Sequence, residues 1–145
     1  PPGKPAALDK GYEKDESGRV KLRLPGSPEA NGIHNPEALL APARNELIQG
    51  KIHGQELAQY DLTQAQYDAL TRLTATLCTV FPKIKRDYPR DSSGALLRTQ
   101  LVGPAYDSYQ GILGHYHVQR NKIDPGPAFQ WDLVIDGARS LMGEK

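Results

Sequence analysis

The strongest periodic pattern in the chain lies in residues 63–82, where apolar residues recur every three or four positions. This spacing is typical of an amphipathic helix that packs on a core. The residues on the predicted apolar face are Tyr67, Leu70, Leu73, Thr74, Leu77, Cys78 and Phe81. Thr63 and Gln66 fit the capping box that opens many helices, and Pro82 cannot continue one. We therefore predict a helix that begins at Thr63 and ends before Pro82.

A second helix is predicted over residues 131–142, because the apolar residues again follow helical spacing there. Its predicted apolar stripe consists of Leu133, Val134, Ala138, Leu141 and Met142. Two other segments predict strands. Apolar and polar residues alternate strictly over residues 19–24, and residues 46–57 contain two short apolar stretches around Gly50 and Gly54. The second pattern favours a hairpin.

Residues 111–114 form a short apolar run, Gly-Ile-Leu-Gly, directly before His115. We interpret this run as a buried strand that delivers His115 at its end. Together, the helical and strand-like patterns predict an α/β fold. We expect a mixed β-sheet flanked by helices, with a long irregular N-terminal arm.

The arm is predicted because residues 1–45 are rich in proline, glycine and charge, and seven of the 12 prolines lie there. We divide the chain into two parts on this basis. Residues 1–57 form an irregular arm or insertion with short strands, and residues 58–145 form the more regular part. The total of 145 residues suits one domain with a respectable core.

Composition excludes several classes of function. The net charge is +1, from 18 basic and 17 acidic side chains, so there is no electrostatic case for nucleic acid as a partner. No apolar run approaches the roughly 20 residues of a membrane span, so none is predicted. Cys78 is the only cysteine, which excludes an internal disulfide. Its place on the predicted helix favours a small core residue over a nucleophile.

The candidate chemistry is concentrated in residues 114–129, which hold two histidines, a lysine and an aspartate before a Pro-Gly-Pro run. An imidazole and a carboxylate suit a catalytic zinc, which takes three protein ligands and leaves one position for water. His115 and Asp124 are the candidate ligands. The prolines after Asp124 restrict the backbone and would fix its carboxylate. The alternative is that Asp124 only begins a turn.

The remaining histidines and the lysine each have two interpretations. His117 is either a further zinc ligand or a neighbouring group beside the site. Lys122 is a solvated cation by default, but next to a metal it would stabilise an oxyanion. His34 and His53 are interpreted as surface or locally hydrogen-bonded residues rather than ligands.

Gly114-His115 and the run from Lys122 to Phe129 (KIDPGPAF) resemble the C-terminal motif of the zinc-dependent N-acetylmuramoyl-L-alanine amidases of type 2. That superfamily includes the amidase-type phage lysozymes and the peptidoglycan recognition proteins. Residues 60–70 (YDLTQAQYDAL) are similar to the aromatic-x-Thr-x-x-Gln-Tyr opening of a helix that the family packs on its sheet. The resemblance covers about residues 58–142, so residues 58–145 are expected to be the C-terminal part of an amidase-like domain.

The resemblance implies specific roles. His115 and Asp124 would be two of three zinc ligands, and Lys122 would be the catalytic cation near the scissile carbonyl. The cofactor would be zinc, and the partner would be peptidoglycan or muropeptides. The reaction would hydrolyse the amide bond between N-acetylmuramic acid and L-alanine. A cell-wall substrate favours a periplasmic or secreted location over a cytoplasmic one.

The chain also departs from the family pattern. The spacing from His115 to Asp124 is one residue shorter, and His117 stands where other members often have an acidic residue. The family takes its first zinc-binding histidine and its acid/base glutamate from strands before the helix that starts here at Thr63. Neither has a convincing counterpart in this sequence. We therefore expect the C-terminal part of an amidase, completed by an upstream segment or an N-terminal companion chain.

Two alternatives remain open at this stage. The chain could be a non-catalytic peptidoglycan-binding or structural module of the same superfamily. It could also hold a metal unrelated to the cell wall through His115, His117 and Asp124 together.

Overall fold

The computed structural model describes residues 8, 10–24, 26 and 40–143. Its elements, in chain order, are β1 (Tyr12–Lys14), β2 (Val20–Leu22), β3 (Ile48–Ile52), β4 (Gln55–Gln59), α1 (Gln64–Val80), α2 (Pro104–Asp107), α3 (His115–Val118) and α4 (Trp131–Leu141). The predicted α/β class is confirmed. None of the helices within these ranges is both long and apolar enough to cross a membrane.

The strands form two separate antiparallel pairs, β1 with β2 and β3 with β4. Each pair joins strands that are consecutive in the chain, and a short connection permits only antiparallel pairing. The described strands therefore do not form the single mixed sheet that we expected. The hairpin predicted over residues 46–57 is confirmed, and it continues to Gln59. A domain boundary after residue 57 would fall inside β4.

The turn between β3 and β4 contains only two residues, His53 and Gly54, because Ile52 pairs with Gln55. Both turn residues have positive φ, 52° and 78°. This is the combination that a type I′ turn requires, and its twist matches the twist of the two strands.

Helix α1 begins as its sequence predicts. The Thr63 hydroxyl accepts a hydrogen bond from the Gln66 amide at 3.2 Å, and the Gln66 side chain accepts one from the Thr63 amide at 2.9 Å. This reciprocal pair is the predicted capping box. At the other end, the Phe81 amide donates to the Leu77 carbonyl, and Pro82 follows. The predicted helix and its two ends are confirmed.

The buried face of α1 differs in part from the predicted one. Tyr67, Thr74 and Cys78 are buried as expected, together with Ala75. Leu73, Leu77 and Phe81 are instead 53%, 37% and 53% exposed. Two apolar stripes lie side by side on this helix, and α4 packs against only one of them. The approach is close at Gly137, where an added Cβ would lie 2.7 Å from the Thr71 methyl group.

The core is built around aromatic side chains between β3, β4 and α4. Its buried members are Ile52, Leu57, Tyr88, Tyr116, Trp131 and Ile135. The final helix was predicted from Trp131, and Val134 and Ala138 are buried on it as expected. Leu133 and Leu141 are exposed, so the stripe is narrower than predicted.

The strand predicted at residues 111–114 is absent; this part of the chain is an extended loop. Its two glycines pack so closely against neighbouring groups that neither position has room for a side chain. An added Cβ at Gly111 would lie 2.5 Å from the Asp87 carbonyl oxygen. The Ile112 amide donates to that same carbonyl at 2.8 Å, and the Gly114 carbonyl accepts from the His117 amide at 3.0 Å. His115 therefore begins α3, a single turn of helix, rather than ending a strand.

A buried carboxylate, Asp61, joins these elements. It accepts hydrogen bonds from Arg44 Nε at 2.6 Å, from Gln130 Nε2 at 2.8 Å and from the Tyr67 hydroxyl. Burial, reinforced by the Asp61 carboxylate, raises the pKa of the Tyr67 hydroxyl, so this group stays protonated and donates. The Tyr67 oxygen in turn accepts from the Gln130 amide at 3.1 Å. The loop before α4 is thereby fixed to α1.

Replacing Tyr67 by Phe is expected to lower the free energy of unfolding by about 1–3 kcal/mol, because the buried Asp61 carboxylate loses one of its donors and the Gln130 amide loses its acceptor. Urea unfolding measures the change. Tyr106→Phe is the matched control, since the Tyr106 ring is exposed and the structure gives its hydroxyl no hydrogen bond within the described ranges. Equal effects of the two changes would contradict a stabilising role for the Asp61 network.

Candidate functional site

The structure brings His115 and Asp124 together at the surface. His115 Nδ1 lies 3.0 Å from Asp124 Oδ2. The two side chains are 43% and 57% exposed, so a ligand from solvent can reach both. His115 is the first residue of α3, and Asp124 lies in the loop that follows α3. The Tyr116 amide donates to the Asp124 carbonyl at 3.2 Å and keeps the loop next to the helix.

The local sequence accounts for this arrangement. An added Cβ at Gly114 would lie 2.7 Å from Pro125 Cδ, so only glycine lets the two segments meet at this distance. Gly126 has a φ of 91°, a conformation that glycine adopts readily. The Gln59 side chain donates to the Pro125 carbonyl at 2.9 Å and accepts from the Ala128 amide at 3.0 Å. Asp124 therefore begins a loop that is fixed at several points.

The second nitrogen of His115 also has a partner. His115 Nε2 lies 3.0 Å from Gln119 Oε1, one helical turn further along the chain. Both nitrogens thus face an oxygen acceptor, whereas a neutral imidazole carries only one N–H. Two arrangements resolve this mismatch: a ring that carries a proton on each nitrogen, or a cation shared by Nδ1 and the Asp124 carboxylate, with Nε2–H donating to Gln119. Metal-bound histidines usually have such a partner on their other nitrogen.

A histidine nitrogen and a carboxylate oxygen, as in His115 and Asp124, are ligands that zinc accepts. Nitrogen and oxygen ligands of a tetrahedral zinc lie about 3.3 Å apart, given bonds of about 2.0–2.2 Å. The separation of 3.0 Å between His115 and Asp124 is close to this value. Within the described ranges there is no group of three His, Cys, Asp or Glu side chains that could hold a metal. His34 lies outside those ranges. The described residues therefore offer at most two of the three ligands that a catalytic zinc would need.

Lys122 lies two residues before Asp124 and is half-buried. Its amide donates to the Gln119 carbonyl at 3.1 Å, which closes the turn after α3. The structure gives its ammonium group no ion pair or hydrogen bond with any other described residue. The cation next to the candidate ligands in sequence is thus available for a bound ligand.

His117 has a structural role instead. It is fully buried, its Nδ1 accepts from the Gly114 amide at 2.9 Å, and its Nε2 donates to the Leu97 carbonyl at 2.8 Å. A backbone amide can only donate and a carbonyl can only accept, so these two bonds fix the neutral form with the proton on Nε2. Burial lowers the pKa of His117 to about 4. With both nitrogens occupied, His117 is no metal ligand, and the alternative with three ligands, including His117, is wrong.

His53 was interpreted as a surface or locally hydrogen-bonded residue. It lies in the β3–β4 turn, half-buried, with its ring edge-on to Tyr116 at 6.3 Å between centroids. Its Nε2 is buried and has no hydrogen-bond partner among the described residues. Gln119 was not predicted at all. The only indication of its role in the sequence was its position four residues after His115, a spacing that brings side chains together on a helix.

Comparisons with protein-family models, with curated proteins and with solved structures gave no match for this chain. The interpretation of the site therefore depends on the contacts described above.

His117 is expected to make stability depend on pH. Its folded pKa of about 4 lies below the ordinary value of 6.5, so the folded state favours the neutral ring. The contribution of His117 to the free energy of unfolding is complete above pH 6.5 and is lost as the pH falls towards 4. The loss is about 3 kcal/mol at most. Chemical denaturation of wild type and His117→Gln between pH 7 and pH 4 measures this. The variant should lose less stability over that range.

Gln119 is expected to support metal binding through His115. Gln119→Ala should weaken zinc binding by roughly 10- to 100-fold, because the ring loses the acceptor that orients it. Gln119→Glu keeps an acceptor and should retain affinity, and Arg120→Ala, an exposed neighbour, is the matched control. Competition with a chelating dye measures affinity, and ¹⁵N NMR of the ring identifies the protonated nitrogen. Unchanged affinity in Gln119→Ala would exclude this role.

Proposed function

We propose that this chain carries part of the site of a zinc-dependent N-acetylmuramoyl-L-alanine amidase that acts on peptidoglycan. One observation supports this most strongly. His115 Nδ1 and Asp124 Oδ2 lie 3.0 Å apart at the surface, inside the motif Gly-His…Lys-x-Asp-Pro-Gly-Pro. The third ligand and the acid/base group would come from a companion chain of the same protein. The protein would act in the periplasm or outside the cell, where peptidoglycan lies.

In this proposal, His115 and Asp124 hold the metal, and Gln119 fixes the ring of His115 by accepting its Nε2 proton. Zinc supplies Lewis acidity, which polarises a carbonyl group and activates water near neutral pH. The surrounding loop is held by Gln59 and by the close contact of Gly114 with Pro125. The two ligands are therefore presented in a fixed geometry, which catalysis by a metal requires.

Lys122 would act on the substrate. Hydrolysis of the bond between the lactyl group of muramic acid and L-alanine places negative charge on the carbonyl oxygen. An ammonium group near that oxygen stabilises the charge, and the Lys122 ammonium has no competing partner in the described part of the chain. The leaving amine needs a proton from an acid, and the acid/base group of the companion chain would supply it.

A second candidate is a module of the same superfamily that binds peptidoglycan without cutting it. The observation that favours it is the ligand count, because the described residues contribute only two ligands. A site with two ligands can hold a metal weakly and still recognise a muropeptide.

Metal binding tests the ligand assignment. When the companion chain that supplies the third ligand is present, the protein is expected to bind one zinc, and His115→Ala or Asp124→Asn should reduce the affinity at least tenfold. His53→Gly is the matched control, since glycine is compatible with the positive φ of the turn. Equilibrium dialysis with metal analysis measures the stoichiometry. Zinc binding that is unchanged in both site variants would rule out this metal site.

Hydrolysis separates the two candidate functions. With zinc and the companion chain present, release of stem peptides from muropeptides supports the amidase, and Lys122→Gln should then lower kcat by roughly 10²- to 10³-fold with zinc still bound. Saturable muropeptide binding with no release supports the non-catalytic module. Neither binding nor release would contradict both.

A further inference from the structure

A cavity of about 510 Å³ opens beside the loop that carries Asp124. Three arginines line it, Arg44, Arg90 and Arg98, together with the aromatic rings of Tyr88, Phe129 and Trp131. Asp132 is the only acidic residue in the wall. Guanidinium groups next to aromatic surface suit a ligand that combines an anionic group with an apolar part.

Two of the three arginines are already engaged by the protein. Arg44 donates to the buried Asp61 and to the Ala128 carbonyl. Arg90 stacks on the Tyr88 ring at 4.1 Å, and its charge is shared with Asp87 at 3.4 Å and Asp132 at 3.8 Å. These contacts hold the walls in place and leave little free binding capacity on either guanidinium.

Arg98 differs from the other two. Its side chain is exposed, and its guanidinium makes no ion pair or hydrogen bond within the described part of the chain. It lies over Gly50 and beside Pro127, because an added Cβ at Gly50 would be 3.3 Å from Arg98 Nη1 and 2.8 Å from Pro127 Cβ. An unpaired guanidinium at the wall of a cavity offers a planar pair of donors, which matches a carboxylate.

The cavity is close to the candidate metal ligands. Pro127 lines it and lies three residues after Asp124, so the two Cα atoms are at most about 11 Å apart. A peptide of about three residues is therefore long enough to span from Asp124 to Pro127.

We propose that this cavity binds the free carboxylate of a short peptide, with Arg98 as its partner and the aromatic walls covering the adjacent apolar atoms. The peptide nature of the ligand rests on the proposed function, whereas the preference for a carboxylate rests on Arg98 and the cavity itself. In the amidase, this contact would select stem peptides with a free carboxylate about three residues from the scissile bond.

The test uses the only tryptophan of the chain, Trp131, whose fluorescence reports on the cavity wall. The probes are N-acetyl-trialanine with a free carboxylate, the same peptide with a C-terminal amide, and inorganic phosphate. The metal-free full chain is titrated with each. The free acid is expected to bind saturably and at least tenfold more tightly than the amide or phosphate. Equal binding of acid and amide, or tighter binding of phosphate, would overturn the proposal.

Two variants with the same change in net charge test whether Arg98 is the residue that binds the carboxylate. Arg98→Gln should weaken binding of the free acid at least tenfold, and Arg120→Gln should change it less than twofold. Thermal unfolding followed by circular dichroism verifies that both variants are folded. Equal weakening in both would indicate general electrostatic attraction and would overturn the assignment.

Further measurements distinguish failure of the proposed carboxylate site from failure of the proposed amidase function. His115→Ala should abolish zinc-dependent hydrolysis and leave the titration with the free acid unchanged. Acid binding without hydrolysis would support the cavity alone. Hydrolysis that is equally fast for free and amidated stem peptides, with no effect of Arg98→Gln, would overturn the cavity alone.

Discussion

The buried carboxylate of Asp61 is the interaction on which the rest of the described structure depends. A carboxylate without solvent is costly unless donors surround it, and here Arg44, Tyr67 and Gln130 all donate to it. The three donors come from the segment before β3, from α1 and from the loop before α4. The charge is satisfied only when these segments meet, so one side chain makes their positions interdependent.

The candidate site depends on that arrangement although Asp61 is not part of it. Gln59 binds the backbone at Pro125 and Ala128, and Arg44 also donates to the Ala128 carbonyl. The loop after Asp124 is thus fixed along its length, and Gly114 lets it approach α3 closely. The exposed pair of His115 and Asp124 is presented by backbone that is itself buried and hydrogen-bonded. This is how an exposed site keeps a defined geometry.

Local features of the fold could be predicted from the sequence, and features that depend on distant packing could not. The capping box at Thr63 and the hairpin around Gly54 are set by neighbouring residues, so both were predicted correctly. Which of the two apolar stripes of α1 is buried depends on where α4 packs, and α4 approaches α1 closely at Gly137. The loop before His115 looked like a strand because its apolar residues are consecutive. Its conformation is set by Asp87, a residue 24 or more positions away.

The same limit applies to the candidate site. The pairing of His115 with Asp124 followed from the motif, because both residues belong to one short segment. Gln119 and the cavity beside Arg98 did not, since a polar side chain at an i+4 position is common and the three arginines are scattered over 55 residues. Sequence reasoning is strongest where a motif is contiguous, and a cavity is by nature assembled from separated segments.

His115 and His117 illustrate how strongly position decides chemistry within one helical turn. His115 points to solvent and meets a carboxylate, whereas His117 is buried and bonded to two backbone groups. The bond from Gly114 to His117 Nδ1 ties the first residues of α3 together, and the bond to Leu97 anchors that turn to a second loop. The buried ring therefore holds the backbone that presents the exposed one. A change at His117 would disturb the pair of His115 and Asp124 without touching it, because α3 has only four residues and His117 is one of its two fully buried side chains, with Tyr116.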